Sequence, residues 1–162
     1  MEITGFADAV ALDEPAYAVF KAALDVVFDK GDGVTEHIDR LSPEARLVYL
    51  LWCLDGEIHN GGFDQLFTNS LGNHCVEILG HLQTIGAGKS HDLLSKAVSW
   101  FRNALPSSDR RVRWSQRQAF SGTPEYEAEI DRLDVEFYKY EDNLVSLLNS
   151  YVSDHPSASI RA

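Results

Sequence analysis

The sequence predicts an all-α fold, a single-domain helical bundle of about seven helices with a long acidic C-terminal helix. Apolar residues recur at helical spacing through most of the 162 residues, and proline, serine and threonine stand where helices would begin. Alternating strand patterns are nearly absent. We place one acidic helical domain at residues 1–154 and expect residues 155–162 to form a frayed C-terminal tail.

Length and composition describe a protein that folds without covalent or metal support. A chain of this length buries roughly 70% of its unfolded surface. Cys53 and Cys75 lie inside apolar runs without metal-binding or redox spacing, so we interpret them as reduced core thiols of a cytoplasmic protein. There is no signal-peptide pattern and no apolar run of about 18 residues, which argues against a membrane protein.

The charge balance restricts the partners. Twenty-five acids face fourteen bases, giving a net charge of −11. Phosphate contacts require clustered lysine and arginine, so we expect no direct binding of nucleic acid.

The first two helices have clear start signals. Pro15 opens a helix that runs to about Phe28 and ends at residues 31–33. Ser42 and Pro43 form the N-cap and first position of a second helix. Its next residues are all apolar from 47 to 54, which predicts a helix in the middle of the fold, with a buried strand as the alternative.

Glycine-rich breaks divide the middle of the chain. Asn60-Gly61-Gly62 ends the second helix, and a short one follows through Phe67. A helix over residues 75–85 shows an apolar face at Val76, Leu79 and Leu82. Ser90 is the predicted N-cap of the next helix.

Two helices complete the bundle. Residues 110–120 form a locally basic helix with Arg110, Arg111, Arg113 and Arg117, which either bind something or pair with the protein's own acids. Thr123 and Pro124 then open a helix that we expect to continue to Tyr151. Its apolar residues alternate in steps of four and three, as in a heptad seam.

This last helix carries a dense acidic stretch, which is the predicted partner-binding site. Its acids are Glu125, Glu127, Glu129, Asp131, Asp134, Glu136, Glu141 and Asp142. On a continuous helix they cover about 27 Å, one carboxylate per ~3.4 Å, the axial spacing of phosphates on one DNA strand. The alternative is a solvated helix face. Like charges beside the seam oppose a parallel homodimer through it, so the seam is expected to pack on the protein's own core; a homodimer through another surface stays open.

Signals for catalysis and cofactors are weak. Gly88-Lys89-Ser90 resembles the end of a phosphate-binding loop but lacks the glycine five positions earlier, where Gln83 stands. His74, Glu77 and His81 share one helical face and could present metal ligands, although no second helix supplies a complementary set. We therefore expect no enzymatic activity, no cofactor and no metal, and keep a metal-binding or enzymatic protein using this trio as an alternative.

The region from Pro43 to Gly72 resembles a family of small bacterial acidic helical proteins named after a DNA-mimic protein. The residues that carry the likeness include Asn60, Gly61, Gly62, Phe63, Gln65, Phe67, Asn69 and Gly72. We interpret this motif as structural, a helix stop and tight turn that lock two helices together.

The resemblance implies that the protein binds a basic, DNA-binding protein, such as a transcription factor or nuclease, and competes with DNA. Ordered carboxylates would then stand in for phosphates. The alternative within the binding class is an immunity-type inhibitor of a toxin.

Overall fold

The structure is a computed structural model that describes residues 14–28 and 37–159. The predicted helix stop at residues 31–33 lies outside the described residues. Within these ranges the chain forms seven α-helices, four short 3₁₀-helices and no strand, which confirms the all-α bundle. The α-helices are α1 (Pro15–Phe28), α2 (Pro43–Thr68), α3 (Cys75–Thr84), α4 (Gly88–Val98), α5 (Arg110–Arg117), α6 (Pro124–Tyr138) and α7 (Leu144–Asp154). The 3₁₀-helices are Ile38–Arg40, Ser70–His74, Arg102–Ala104 and Pro156–Ala158.

Helix α2 is the centre of the bundle. The Ser42 hydroxyl accepts a hydrogen bond from the Ala45 N–H (3.2 Å), with Pro43 at the first position, as the sequence predicts. The apolar stretch from Leu47 to Leu51 is buried on all sides because α1, α3, α6 and α7 pack around it. A helix that is apolar all round needs such a cover.

Helix α2 is interrupted at the predicted break. Gly61 has φ −157° and ψ 20°, and Gly62 has φ 72° and ψ −174°, so the backbone leaves the helical conformation for two residues. The Phe63 N–H then donates to Asp134 Oδ1 (2.9 Å), which caps the segment that restarts at Phe63. The positive φ at Gly62 is a conformation that glycine adopts without steric cost.

The predicted long C-terminal helix is wrong, because it is two helices. Helix α6 ends at Tyr138, Tyr140 has φ 54°, and the Asn143 side chain accepts from the Ser146 N–H (3.0 Å) to start α7. The turn also shifts the apolar phase. The residues of α7 that become buried are Leu144, Leu148 and Val152, whereas the heptad pattern continued through Leu147 and Tyr151. Helix α2, whose 26 residues include the interruption, is the longest helix in the described ranges instead.

Three smaller predictions also differ from the structure. Val76 is 54% exposed because α3 buries Cys75, Ile78 and Leu82. Ser90 lies inside α4, buried, and is not its N-cap. The residues at 156–158 of the expected frayed tail form a 3₁₀ turn that packs on α2 with a buried alanine.

The two cysteines agree with their interpretation as core thiols. Both are free, and burial raises the pKa of each to about 12. A thiol with so high a pKa is almost wholly protonated at neutral pH, and the thiolate is the reactive form.

Gly62→Ala should lower the free energy of unfolding by about 2–3 kcal/mol. A Cβ there would adopt an unfavourable positive φ and lie 2.1 Å from Asp134 Oδ2, displacing the carboxylate that caps Phe63. Urea denaturation measures the loss. Gly56→Ala in the same helix is the matched control, because a Cβ at Gly56 has no neighbour within 4 Å and should stabilise by about 0.5–1 kcal/mol. Equal effects of the two substitutions would contradict this account of the break.

Candidate acidic interface

Helix α6 buries its seam against the protein's own core. Tyr126, Ile130, Leu133 and Phe137 are buried, and α6 packs on α2 and α4. The expectation that the seam faces inward is therefore confirmed for this helix.

The six acids of α6 leave the helix on two opposite flanks. At 100° per residue, Glu127, Asp131 and Asp134 project to one side of the seam, and we name them row one. Glu125, Glu129 and Glu136 project to the other side, and we name them row two. Between the rows lies the outer face of the helix, where Val135 is 57% exposed.

Row one concentrates negative charge. Glu127 Oε1 accepts a hydrogen bond from the Gly122 N–H (3.0 Å), and Asp131 is exposed. Burial raises the pKa of Asp134, and the nearby carboxylates of Asp131 and Asp64 raise it further. Asp64, on the restarted part of α2, thus extends this acidic surface beyond α6.

Row two is partly neutralised at the surface. Arg132 forms an ion pair with Glu129 (2.7 Å), and Lys139 with Glu136 (2.5 Å). Lys89 of α4 lies 3.6 Å from a carboxylate oxygen of both Glu136 and Glu141. Exposed pairs of this kind contribute little stability and leave the carboxylates accessible.

Two of the eight predicted site acids are helix caps. Asp134 caps the segment that begins at Phe63, and Asp142 Oδ2 accepts from the Ser90 N–H (2.6 Å) in the first turn of α4. Both carboxylates lie at positive helix N-termini, where negative charge is stabilising. Their replacement would affect folding as well as any partner.

The linear arrangement of the acids differs from that predicted. Glu141 and Asp142 lie in the turn after α6, so six acids occupy a helix of 15 residues, about 22 Å long. The spacing of one carboxylate per ~3.4 Å along a single axis does not hold, and the two rows replace it.

The arginines of α5 are mostly structural. Arg113 is fully buried and donates to the carbonyls of Phe67 (2.8 Å), Asn69 (2.8 Å) and Ser107 (2.6 Å), as well as to Asn73 Oδ1 (2.9 Å). Its guanidinium therefore satisfies the carbonyls that the end of α2 leaves unpaired.

Two further arginines bind the same helix end. Arg117, also buried, donates to Thr68 Oγ1 (2.7 Å) and to Asp64, and Arg110 Nε donates to the Thr68 carbonyl (2.8 Å). Sequence reasoning missed this role because the usual burial pattern is reversed on α5: Arg113 and Arg117 face the protein, whereas Val112 and Trp114 are exposed.

The glycine motif builds the same region. Gln65 Nε2 donates to Glu57 (2.7 Å), Asn69 Nδ2 donates to the same carboxylate (3.0 Å), and Asn60 Nδ2 donates to Gln65 Oε1 (3.2 Å). A Cβ at Gly72 would lie 2.8 Å from Arg113 Nε. These contacts bridge the interruption in α2, and the structural role of the motif stays a prediction.

The His74, Glu77 and His81 trio does lie together, but an arginine occupies its centre. Arg46 donates to both oxygens of Glu77 (2.6 and 2.8 Å), and the two imidazoles lie 3.3 and 3.2 Å from them. The guanidinium holds the pKa of Glu77 at about 2, while burial lowers the pKa values of both histidines. Within the described residues, no group of three such side chains has a metal-binding arrangement.

A second titratable cluster was not predicted. Asp55 is buried, accepts from the Tyr140 hydroxyl (3.0 Å) and lies 3.1 Å from His59 Nδ1, whose pKa it raises. His59 also packs against Phe137, Tyr138 and Tyr140. The cluster fixes the turn between α6 and α7 to α2.

Taken together, these features define an acidic all-α protein with charged rows on one surface helix. A family profile of DMP19-like proteins matches residues 39–155, which include the glycine motif and both acid rows. The chain belongs to this family, a family of DNA-mimic proteins. No curated protein and no solved structure matches the chain. No helix in the described ranges is both long and apolar enough to cross a bilayer.

Arg113→Met should lower the free energy of unfolding by about 3–5 kcal/mol, because it leaves the carbonyls at the end of α2 buried without donors. Arg111→Met is the matched control, because Arg111 is exposed and projects from the opposite face of the same helix; it should change stability by less than about 0.5 kcal/mol. Urea denaturation of both variants tests this. A stable Arg113→Met variant would show that the helix end does not depend on the guanidinium.

Glu77→Gln should destabilise the protein by about 2 kcal/mol at pH 7, as the pair with Arg46 is half-buried. The folded-state pKa of Glu77 is below its ordinary value of 4.5, so its contribution is present above pH 4.5 and is lost as pH falls toward about 2. The stability gap between wild type and variant should close across that window.

Asp39→Asn is the control for this pair, because Asp39 also contacts Arg46 but its side chain is 92% exposed. We expect it to cost no more than about 0.5 kcal/mol. A gap for Glu77→Gln that stays constant down to pH 2 would contradict the role assigned to Arg46.

Proposed function

We propose that this protein is a DNA mimic that binds a basic, DNA-binding protein through the acid rows of α6 and competes with DNA for it. Membership in the DMP19-like family supports this proposal. The observation that carries it is the pair of acid rows on the two flanks of one exposed helix.

The separation of the rows suits the proposed role. A helix with its side chains is about 10–12 Å across, so carboxylates on opposite flanks are separated by a similar distance. The major groove of B-DNA, bounded by two phosphate rows, is about 12 Å wide. A basic element that fits between phosphate rows could therefore meet carboxylates on both of its sides.

The helix that carries the rows is also held in place before binding. Tyr126 packs against Trp100 and Phe120, and Phe137 packs against Phe63, so α6 is fixed to the core by aromatic contacts. The Tyr126 hydroxyl donates to Asp64 (2.8 Å). A preorganised charge pattern requires little ordering when a partner binds, which improves affinity.

The negative charge of the molecule favours basic partners for this surface. Helix α6 carries six acids but only two bases, Arg132 and the C-capping Lys139. Its net charge is therefore 2 − 6 = −4, within a total of −11 for the protein. Such a field accelerates encounter with a basic partner and repels nucleic acid.

A basic toxin, such as a nuclease, is the second candidate partner within the same binding class. The acid rows suit either partner, since both have basic grooves. We propose binding alone, without catalysis, because Arg46 occupies both oxygens of the one carboxylate in the histidine trio.

A capture and competition experiment tests the proposal. The protein is immobilised and exposed to an extract of its native cell at low and high salt, and retained basic proteins are tested for DNA binding. Wild-type protein should displace DNA from the partner, and the displacement should weaken as salt rises, since screening shortens to about 8 Å at physiological ionic strength.

The decisive variant removes three exposed charges and no cap: Glu125→Gln, Glu127→Gln and Asp131→Asn. Glutamine at 127 can still accept from the Gly122 N–H, so the fold should survive. Competition should fall by roughly tenfold or more at low salt, mainly through a slower association rate, with a smaller salt dependence.

The matched control, Asp25→Asn with Asp92→Asn and Asp154→Asn, removes the same charge from exposed positions outside α6. Equal losses in both triple variants would show that only total charge matters. Unchanged competition by the α6 variant would reject the acid rows as the interface.

A further inference from the structure

An open groove of about 610 Å³ runs along α5, and two arginines give its lining the opposite charge to that of the acid rows. It is lined by Thr68, Arg110, Arg111, Trp114 and Ser115. The Trp114 indole, 56% exposed, is one of the largest apolar side chains that the described part of the chain presents to solvent. Large exposed aromatic groups in a concave, charged setting are typical of binding surfaces.

The groove is built from anchored groups. The Arg117 guanidinium lies 5.8 Å from the centre of the Trp114 ring and is itself fixed by Thr68 Oγ1 and Asp64. Arg110 is held through its Nε by the Thr68 carbonyl. The tryptophan and one arginine are therefore positioned in the absence of a ligand.

The two lining arginines form no ion pair within the described ranges. Neither Arg110 nor Arg111 lies within 4.0 Å of a carboxylate there, whereas Arg46, Arg117 and Arg132 all form ion pairs. The neighbouring Asp109 carboxylate accepts from the backbone N–H groups of Val112 and Arg111, and these bonds together with the Arg111 charge lower its pKa. In a protein with 25 acids and 14 bases, two adjacent guanidinium groups without an ion pair are a local exception. Guanidinium groups bind carboxylates through paired, charge-assisted hydrogen bonds.

The shape and the surrounding charge restrict the class of ligand. A small-molecule site usually encloses most of its ligand, but this groove is open to solvent along the helix. A nucleic acid would also bring its phosphates toward Asp64 and row one, on the other side of Arg117. A short peptide with a few acids and one apolar side chain fits an open groove and is small enough to stay beside α5, away from those carboxylates.

We propose that the groove binds a short acidic segment of a partner protein. An aromatic or aliphatic side chain of that segment packs on Trp114, and its carboxylates pair with Arg110 and Arg111. This site is independent of the proposed function, because the groove binds an acidic segment whereas the acid rows bind a basic protein.

Tryptophan fluorescence provides the test. The probe is a synthetic peptide with one phenylalanine between two pairs of glutamates, and the control peptide has glutamine in place of every glutamate. Of the three tryptophans, Trp52 is buried and Trp100 is half-buried, so a shift on binding reports mainly Trp114. The acidic peptide should give a saturable blue shift below about 1 mM that weakens with salt, and the control peptide should not.

Substitutions in the groove test which residues bind the peptide. Trp114→Phe should abolish the shift while calorimetry still detects binding, and Arg111→Gln should weaken binding by about tenfold. Arg132→Gln, which removes one exposed positive charge from α6, is the matched control and should leave binding unchanged. Thermal unfolding confirms that the variants are folded.

Three outcomes would overturn the proposal. The first is equal binding of the acidic and glutamine peptides. The second is tighter binding of a single-stranded oligonucleotide than of the acidic peptide. The third is self-association in sedimentation that Arg111→Gln abolishes, which would assign the groove to a second copy of the chain. None of these depends on the DNA competition, so the two proposals can fail separately.

Discussion

The fold depends on charged groups at both ends of one short helical segment. After the interruption at Gly61 and Gly62, α2 restarts at Phe63 and ends at Thr68, a segment with few helical hydrogen bonds of its own. Asp134 caps its positive end from 71 residues away, and Arg113 binds the carbonyls at its negative end from 46 residues away. Charges of these signs at these ends are the favourable arrangement for a helix dipole.

This segment places both candidate surfaces. The cap by Asp134 fixes α6, which carries the acid rows, and the arginine contacts fix α5, which carries the groove. Asp64 lies on the segment itself, and its Oδ1 accepts hydrogen bonds from both Arg117 of α5 and Tyr126 of α6. The same carboxylate therefore links the helix that carries the acid rows to the helix that carries the groove. Because Asp134 is a helix cap as well as a member of row one, binding studies require substitutions that leave the caps in place.

The sequence predicts local features of this fold better than distant contacts. The N-caps at Ser42 and Thr123, the all-apolar stretch of α2 and the glycine break follow from neighbouring residues, and the structure confirms them. The break between α6 and α7 was missed because the apolar spacing continues through it, although Asn143 is a good N-cap.

The candidate site shows the same limit more sharply. The sequence around an acidic residue on a helix flank is the same whether its carboxylate is solvated, forms an ion pair or caps another helix. Only the three-dimensional structure separates Asp134 and Asp142, which cap helices, from Asp131, which is exposed. Likewise Arg113 is buried and Arg111 exposed, two positions apart on one helix. Sequence therefore predicts the amount of charge on these helices, and tertiary contacts decide which charges a partner can reach.

That distinction bears on what an acidic protein can recognise. A net charge of −11 attracts any basic protein, and screening weakens this attraction for all of them alike. Selectivity requires features that fix geometry or oppose the wrong partner. Here the paired rows fix the distance between carboxylates, and the unpaired arginines beside them oppose a partner that is basic throughout. A partner whose basic element lies next to an acidic segment would satisfy both proposed sites, and the few basic groups of this protein would then discriminate among the partners that its many acids attract.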